Sequence, residues 1–307
     1  MSVGYSPLRY PGGKQVLSRV IAHLISINHK EGGIYAEPYA GGAGAALNLL
    51  FGEHVHRLIL NDADQRIYAM WWGILHATEQ FVSLIHDTPL SVEEWEHQRA
   101  TYQAGGRVSR LRLGFATFYL NRCNRSGIIS NGGPIGGKAQ DGQWKIDARF
   151  NRPELERRVR RVALYKDRIS VFNLDAVCFL RKHIASLPQR ERAFVYLDPP
   201  YYAKGRDLYL NYYAPEDHAA LAAYIKSENS FTWILSYDNV PEVRKLYSEL
   251  RQVQFGLSYS ARERRSGREV LILKPDLIFP SPWRRKIDAK YITSADSAPP
   301  MPAASGF

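Results

Sequence analysis

Residues 34–62 constrain the fold of this chain most. Ile34-Tyr35-Ala36 reads as a short strand running into Glu37-Pro38-Tyr39-Ala40-Gly41-Gly42-Ala43-Gly44. Ala45 to Phe51 has helical character, Arg57 to Asn61 is a second strand, and Asp62 follows directly. Strand, glycine loop, helix, strand, acid is the layout of a nucleotide-binding βαβ unit. The glycines do not have GxGxxG spacing, which argues against a dinucleotide enzyme. Small residues at a strand end let a ligand approach the backbone, although a tight strand–helix turn uses them equally well. Asp62 stands where an acid either hydrogen-bonds ribose hydroxyls or caps the following helix.

The rest of the chain extends this pattern. Lys14 to Asn28 is an amphipathic helix, with Val16, Leu17, Val20, Ile21, Leu24 and Ile25 at helical spacing. Asp64 to Ile85 reads as one long, aromatic-rich helix. From about Thr88 to Arg168 the alternation lapses, and helical stretches surround a glycine-rich segment, Asn124 to Trp144, readable as loops or a hairpin. Alternation resumes with strand Ile169–Asn173, helix Asp175–Ile184, strand Ala193–Leu197, helix Pro215–Glu228, strand Phe231–Leu235 and helix Pro241–Leu250. Strands Gln252–Leu257 and Glu269–Leu273 follow. The order predicts an α/β fold, a mostly parallel sheet with helices on both faces. Residues 1–87 and 168–280 form the main domain and 88–167 an insertion. Beyond Trp283 the composition turns to Ala, Pro and Ser, so 283–307 is expected to be disordered.

Composition narrows the partners. No run approaches the ~20 apolar residues that span a bilayer. Arg9, Lys14, Arg19 and His23 interrupt the N-terminal apolar stretches, which removes a signal-peptide reading. Cys123 and Cys178 are isolated and fit no metal or redox spacing. Free thiols and no leader point to the cytoplasm. The net charge of +11 favours a polyanionic partner. Basic residues cluster at Arg107, Arg110 and Arg112, at Arg157, Arg158, Arg160 and Arg161, and at Arg262, Arg264, Arg265 and Arg268. Any one cluster reads as a solvated face; three with this net charge favour nucleic acid.

The chemistry concentrates at Asp198-Pro199-Pro200-Tyr201, directly after the apolar run Ala193 to Leu197. Two prolines stiffen the loop and leave carbonyls without a local donor. The Asp198 carboxylate and the Pro199 carbonyl can accept both N–H bonds of an exocyclic amino group, and the Tyr201 ring can stack on the attached base. The bland alternative is a strand stop with a capping acid. Asp175, after the third strand, either contacts an adenine edge or caps a helix.

In this order, Tyr10-Pro11-Gly12-Gly13-Lys14, Glu37 to Gly44, Asn61-Asp62 and Asp198-Pro199-Pro200-Tyr201 resemble the Dam-like (D12 class) DNA adenine-N6 methyltransferases. Phe118-Tyr119-Leu120-Asn121-Arg122 and Leu235-Ser236-Tyr237-Asp238 fit the same family, and the resemblance covers about residues 5 to 275. It implies a Rossmann-like S-adenosylmethionine-dependent methyltransferase fold with an inserted, mainly helical target-recognition domain bearing a hairpin. Tyr10, Lys14, Glu37, Pro38, Tyr39, Gly41, Gly42, Gly44, Asp62, Asp175 and Asp198 would then line the S-adenosylmethionine site. Asp198, Pro199, Pro200 and Tyr201 would be catalytic. Arg122, Asn124, Arg125, Ser126 and Lys138 would contact double-stranded DNA. Where this family follows Asn-Arg with an aromatic and Asn-Gly, this chain has Cys123-Asn124-Arg125-Ser126-Gly127.

The resemblance implies methyl transfer to the N6 amino group of adenine in a short duplex sequence, with the base flipped out and the methyl passed directly. No metal and no membrane enter this reading, and a cognate restriction endonuclease is a possible partner that no residue here reveals. An RNA adenine-N6 methyltransferase and a catalytically inactive DNA-binding regulator are the rivals on the same fold. A protein-glutamine enzyme would carry Asn in place of Asp198, and a cytosine-N4 enzyme more often Ser.

Overall fold

The computed structural model describes residues 5–9, 14–202, 213–257 and 267–280. Seven strands form one sheet: β1 (Ile34–Glu37), β2 (Arg57–Asn61), β3 (Ile169–Phe172), β4 (Ala193–Leu197), β5 (Thr232–Asp238), β6 (Arg251–Leu257) and β7 (Gly267–Leu273). Their order is β3-β2-β1-β4-β5-β7-β6. The first five pair in parallel, while β7 runs antiparallel to both β5 and β6. The sheet is therefore mixed α/β and mostly parallel, as the alternation of elements predicts.

The central strands β1, β4 and β5 are buried on both faces, which is why they read as largely apolar runs. Along β4, Phe194 and Tyr196 enter one core cluster, and Val195 and Leu197 enter the other. The first cluster is covered by α1 (Lys14–Ile27), α2 (Gly44–Phe51), α3 (Gln65–His76) and α4 (Thr78–Asp87). The second is covered by α8 (Ala176–Phe179, continued by a π turn Leu180–Ile184), α9 (Pro215–Ser227) and α10 (Pro241–Leu246).

Between α4 and β3 lie α5 (Val92–Ala104), α6 (Arg110–Cys123) and α7 (Arg152–Ala163). They are joined to the first cluster without a break. Phe115 and Phe118 of α6 meet Phe81 of α4 edge-on, with ring centroids 5.7 and 5.4 Å apart. Gly114 brings α6 so close to α3 that a Cβ there would lie 2.3 Å from the Ala69 carbonyl oxygen. The segment Asn124 to Trp144 is loop, with a 3₁₀ turn at Arg125–Gly127 and one isolated antiparallel bridge, Asn124 to Pro134.

Several element boundaries differ from the sequence reading. The long helix expected over 64–85 is two helices. Asp64 caps α3 by accepting from the Arg66 N–H, and Ala77 (φ −136°, ψ 43°) breaks the run before Thr78. Apolar periodicity continues through both helices and cannot reveal the break. Strand β5 continues past Leu235 to Asp238, because β7 pairs with it as far as Asp238. The helix after Pro241 ends at Leu246. The tail 283–307, Tyr10, the side chains of Lys14 and Arg268, and Arg262, Arg264 and Arg265 of the same cluster lie outside the described residues.

Candidate active site

From β1 the chain moves outward to β2 and β3, then crosses back to β4 and moves outward on the other side to β5. At such a switch point the connections diverge, and a crevice opens beyond the carboxyl ends of the two central strands. β1 and β4 are those strands, paired with Ala36 opposite Val195. The loop beginning at Pro38 and the loop beginning at Asp198 therefore leave the sheet side by side. Motifs more than 150 residues apart in sequence are brought to one place by two parallel strands.

The first loop is held by its neighbours. Gly41 (φ 47°) and Ala43 (φ 46°) adopt left-handed backbone, which turns the chain into α2 within a few residues. Asp62 accepts the Gly41 N–H on Oδ2 and the Asp64 N–H on Oδ1, both at 2.9 Å. Trp71 Nε1 donates to the Gly41 carbonyl at 2.8 Å. Asn61, fully buried, donates to the Pro38 and Leu174 carbonyls and accepts the Leu174 N–H, tying the loops after β1 and β3 together. Glu37 is buried and accepts from the Tyr35 hydroxyl at 3.0 Å. Burial, the Glu37 charge and the nearby Tyr196 hold the Tyr35 phenol well above its ordinary pKa. Glu37, Pro38, Tyr39, Gly41, Gly42, Gly44 and Asp62 are thus gathered at one end of the sheet. Asp175 is exposed, and its carboxylate caps α8 by accepting the Cys178 N–H at 3.0 Å.

The second loop is anchored from β5 and β7. Ser236 donates to Asp198 Oδ1 at 2.9 Å, and Tyr196 lies 2.8 Å from the Ser236 hydroxyl. Tyr201 donates its hydroxyl to the buried carboxylate of Glu269 on β7 at 3.0 Å. The Tyr202 N–H donates to Asp238 at 2.9 Å. Pro199 is buried and Pro200 half-buried. Beside this loop Tyr39 and Tyr213 share a hydroxyl hydrogen bond of 2.9 Å, and His218 Nδ1 lies 2.7 Å from the Tyr237 hydroxyl. Burial keeps the His218 pKa below its ordinary value and raises that of Tyr39.

The residues expected to touch DNA divide into two groups. Arg125, Ser126 and Lys138 are exposed. Arg125 and Lys138 line a cleft of about 290 Å³ with Trp95, Arg99, Gly132 and Gly133. Arg99 stacks over the Trp95 ring at 5.4 Å, and Lys138 pairs with Glu96 at 2.8 Å. Arg122 and Asn124 are instead enclosed. The Arg122 guanidinium donates to the Pro7 carbonyl, and its pKa falls to about 9, chiefly through burial and also through the neighbouring Arg158 and Arg9. Asn124 accepts from Trp95 Nε1 at 2.6 Å and donates to the Ile128 carbonyl. For these two the expected DNA contact gives way to an internal role. Asn121 likewise accepts the Arg9 N–H and donates to the Arg9 carbonyl, so Asn121 and Arg122 clasp the backbone that leads into Tyr10.

The cluster on α7 is also committed within the protein. Arg157 and Arg158 pair with Glu154, Arg160 with Glu79 and Glu156, and Arg161 lies over the Tyr5 and Phe51 rings. Among the described residues, no group of three His, Cys, Asp or Glu is placed to hold a metal ion, and no helix is long and apolar enough to cross a membrane. Sequence reasoning missed Ser236 and Tyr196 as partners of Asp198, although the family-like run Leu235 to Asp238 contains one of them. Trp144 is 64 % exposed beside Lys145.

The family model for the D12 class N6 adenine-specific DNA methyltransferases matches residues 10–264. The chain belongs to that family. It is an enzyme that methylates adenine at N6 in DNA, with site specificity. Methyltransferases of this kind generally draw the methyl group from S-adenosylmethionine. No curated protein matches the chain.

Proposed function

We propose that this methyltransferase takes S-adenosylmethionine at the crevice beyond β1, flips a target adenine into the crevice beyond β4, and transfers the methyl group directly between the two. The observation that carries this reading is the adjacency of the two loops at the switch point, one glycine-turned with acids around it, the other ending in Asp198-Pro199-Pro200-Tyr201. The residues present suit that cofactor. Its sulfonium and ammonium are cationic, and Glu37, Asp62 and Asp198 are acids at one end of the sheet. A carboxylate oxygen accepts more than one donor, so Asp62 can hold the Gly41 turn and still meet a ribose hydroxyl. When bound, the cofactor supplies a methyl group on a positively charged sulfur, a leaving group that needs no metal.

The chain's own residues do the rest. The amino nitrogen of adenine is a poor nucleophile because its lone pair is delocalised into the ring. Asp198 and the Pro199 carbonyl accept its two N–H bonds, favour a more tetrahedral nitrogen and aim the lone pair. Much of the acceleration then comes from positioning. Tyr201, its hydroxyl fixed on Glu269, offers a ring for stacking, worth ~1–3 kcal/mol by analogy with other base–aromatic contacts. Asp198 also takes the proton that the methylated nitrogen releases.

Residues 88–167 serve as the target-recognition region, inserted between 1–87 and 168–280, with the loop 124–144 facing DNA. The exposed cations Arg99, Arg125 and Lys138 around one cleft support this assignment. Arginine is the side chain best suited to reading guanine, while most such contacts are to phosphate.

Methyl transfer from labelled S-adenosylmethionine to unmethylated genomic DNA, read by sequencing of modified adenines, tests the reading. N6-methyladenine at one short motif is expected. Cofactor binding with transfer to RNA and none to DNA would overturn the substrate; no cofactor binding would overturn the whole assignment.

A further inference from the structure

We propose that Ser236 is a positioning residue for the transfer, orienting the Asp198 carboxylate with its own hydroxyl direction fixed by Tyr196. The parallel register puts Leu197 opposite Leu235, so the next pair across β4 and β5 is Asp198 and Ser236. The Ser236 hydroxyl carries one proton, and with Asp198 ionised that proton lies on the 2.9 Å bond to Oδ1. Across the 2.8 Å contact with Ser236, Tyr196 is therefore the donor. The result is a directed chain, Tyr196 to Ser236 to Asp198, across two adjacent strands.

The setting argues that this chain serves the reaction more than the fold. Tyr196 is 3 % and Ser236 1 % exposed, and both lie on a sheet face packed with Phe194, Ile234 and Leu271. Replacing both hydroxyl partners in such a core by apolar groups of the same shape is nearly neutral for stability. What the hydroxyls add is direction. A carboxylate at a strand end can rotate about its last side-chain torsion, and acceptance of an amino N–H tolerates little misplacement. Ser236 fixes that torsion, and Tyr196 fixes Ser236, in a site where burial keeps water from competing.

The inference rests on Asp198 being the group that accepts the amino protons, so Asp198→Ala is measured beside the test variants. In Ser236→Ala, kcat should fall roughly 10- to 100-fold, the usual scale for a partner that orients an active group. KM for DNA and for S-adenosylmethionine should stay within about twofold, since the lost contact matters after both are bound. The acid limb of the kcat–pH profile should move to higher pH, because losing a donor to the charged form raises a carboxyl pKa. Ser236→Thr, which keeps the hydroxyl, should recover most of kcat. Tyr196→Phe should shift kcat and the acid limb in the same directions by smaller amounts. A folded Ser236→Ala enzyme with wild-type kcat and an unmoved acid limb overturns the inference. If that variant does not fold, the same null result in Tyr196→Phe overturns it. An active Asp198→Ala enzyme sinks the reading of Asp198 itself, whereas a dead one beside a normal Ser236→Ala enzyme sinks only the role of Ser236.

Discussion

The crevice at β1 and β4 and the loop 124–144 are built in opposite ways. In the crevice Asp62, Asn61, Ser236 and Glu269 each lock a loop that leaves a strand end. In the loop Arg125, Lys138 and Trp144 point outward from irregular backbone, with Gly136 and Gly137 at positive φ. Anchors at strand ends suit chemistry that needs sub-ångström alignment, and an irregular stretch suits the recognition role proposed for it, since it can change without disturbing the sheet. Helix α6 links the two: its Asn121 and Arg122 hold the chain ahead of Tyr10, and Asn124 at its end holds the start of the loop.

The contrast can be broken from either side. The largest expected effect is Asp198→Ala, which should reduce methyl transfer at least ~1,000-fold while binding of DNA and cofactor changes little; loss of one electrostatic partner of a reacting group costs on that scale. Activity surviving in a variant of normal fold and affinity would place the chemistry elsewhere. Next is Gly114→Ala. Its Cβ would collide with the Ala69 backbone, so α6 should be forced off α3 at a cost of about 1–3 kcal/mol, read by thermal denaturation. An unchanged midpoint would mean that 88–167 is not rigidly packed on the sheet domain. Asp175→Ala should lose the α8 cap, about 1 kcal/mol. A weakened cofactor affinity there, with stability unchanged, would instead favour the adenine contact. Arg125→Ala should lower the salt slope of DNA binding by about one unit and leave kcat at saturating DNA unchanged.

A pH effect is the smallest. Burial holds the His218 pKa below its ordinary 6.5, so the folded ring stays neutral where the unfolded one takes a proton. The stability it contributes is complete above that value and declines as pH falls below it, by no more than ~1.4 kcal/mol per pH unit. Denaturation midpoints of the wild type and His218→Gln between pH 7.5 and 5.5 should converge toward the acid end; parallel lines would exclude His218.

The sheet was legible because each parallel strand is a short, largely apolar run closed by Pro, Asn or Asp; β2 and β4 have the boundaries that their residues suggest. Asp198 and the glycine loop were legible because strained or stiffened turns need particular residues. Arg122 was not. A cation after an aromatic-rich helix reads as a ligand for phosphate, and only the path of residues 7–9 across α6 reveals that a carbonyl awaits it. Ser236 escaped for a similar reason, since its partner lies 38 positions away on another strand. The split of the helix over 64–85 leaves no trace in hydrophobic period because both halves cover the same core.

The placement of Glu269 bears on how truncated copies of such genes should be judged. A chain stopping after β6 would keep the whole parallel sheet, the glycine loop, Asp198-Pro199-Pro200-Tyr201 and Ser236. Every motif by which the enzyme is recognised would be intact. Yet β7 sits between β5 and β6, so its loss would part the sheet edge and release Tyr201 from its anchor. Such a gene would pass inspection by motif and produce a protein whose Tyr201 hydroxyl has lost its hydrogen bond to Glu269.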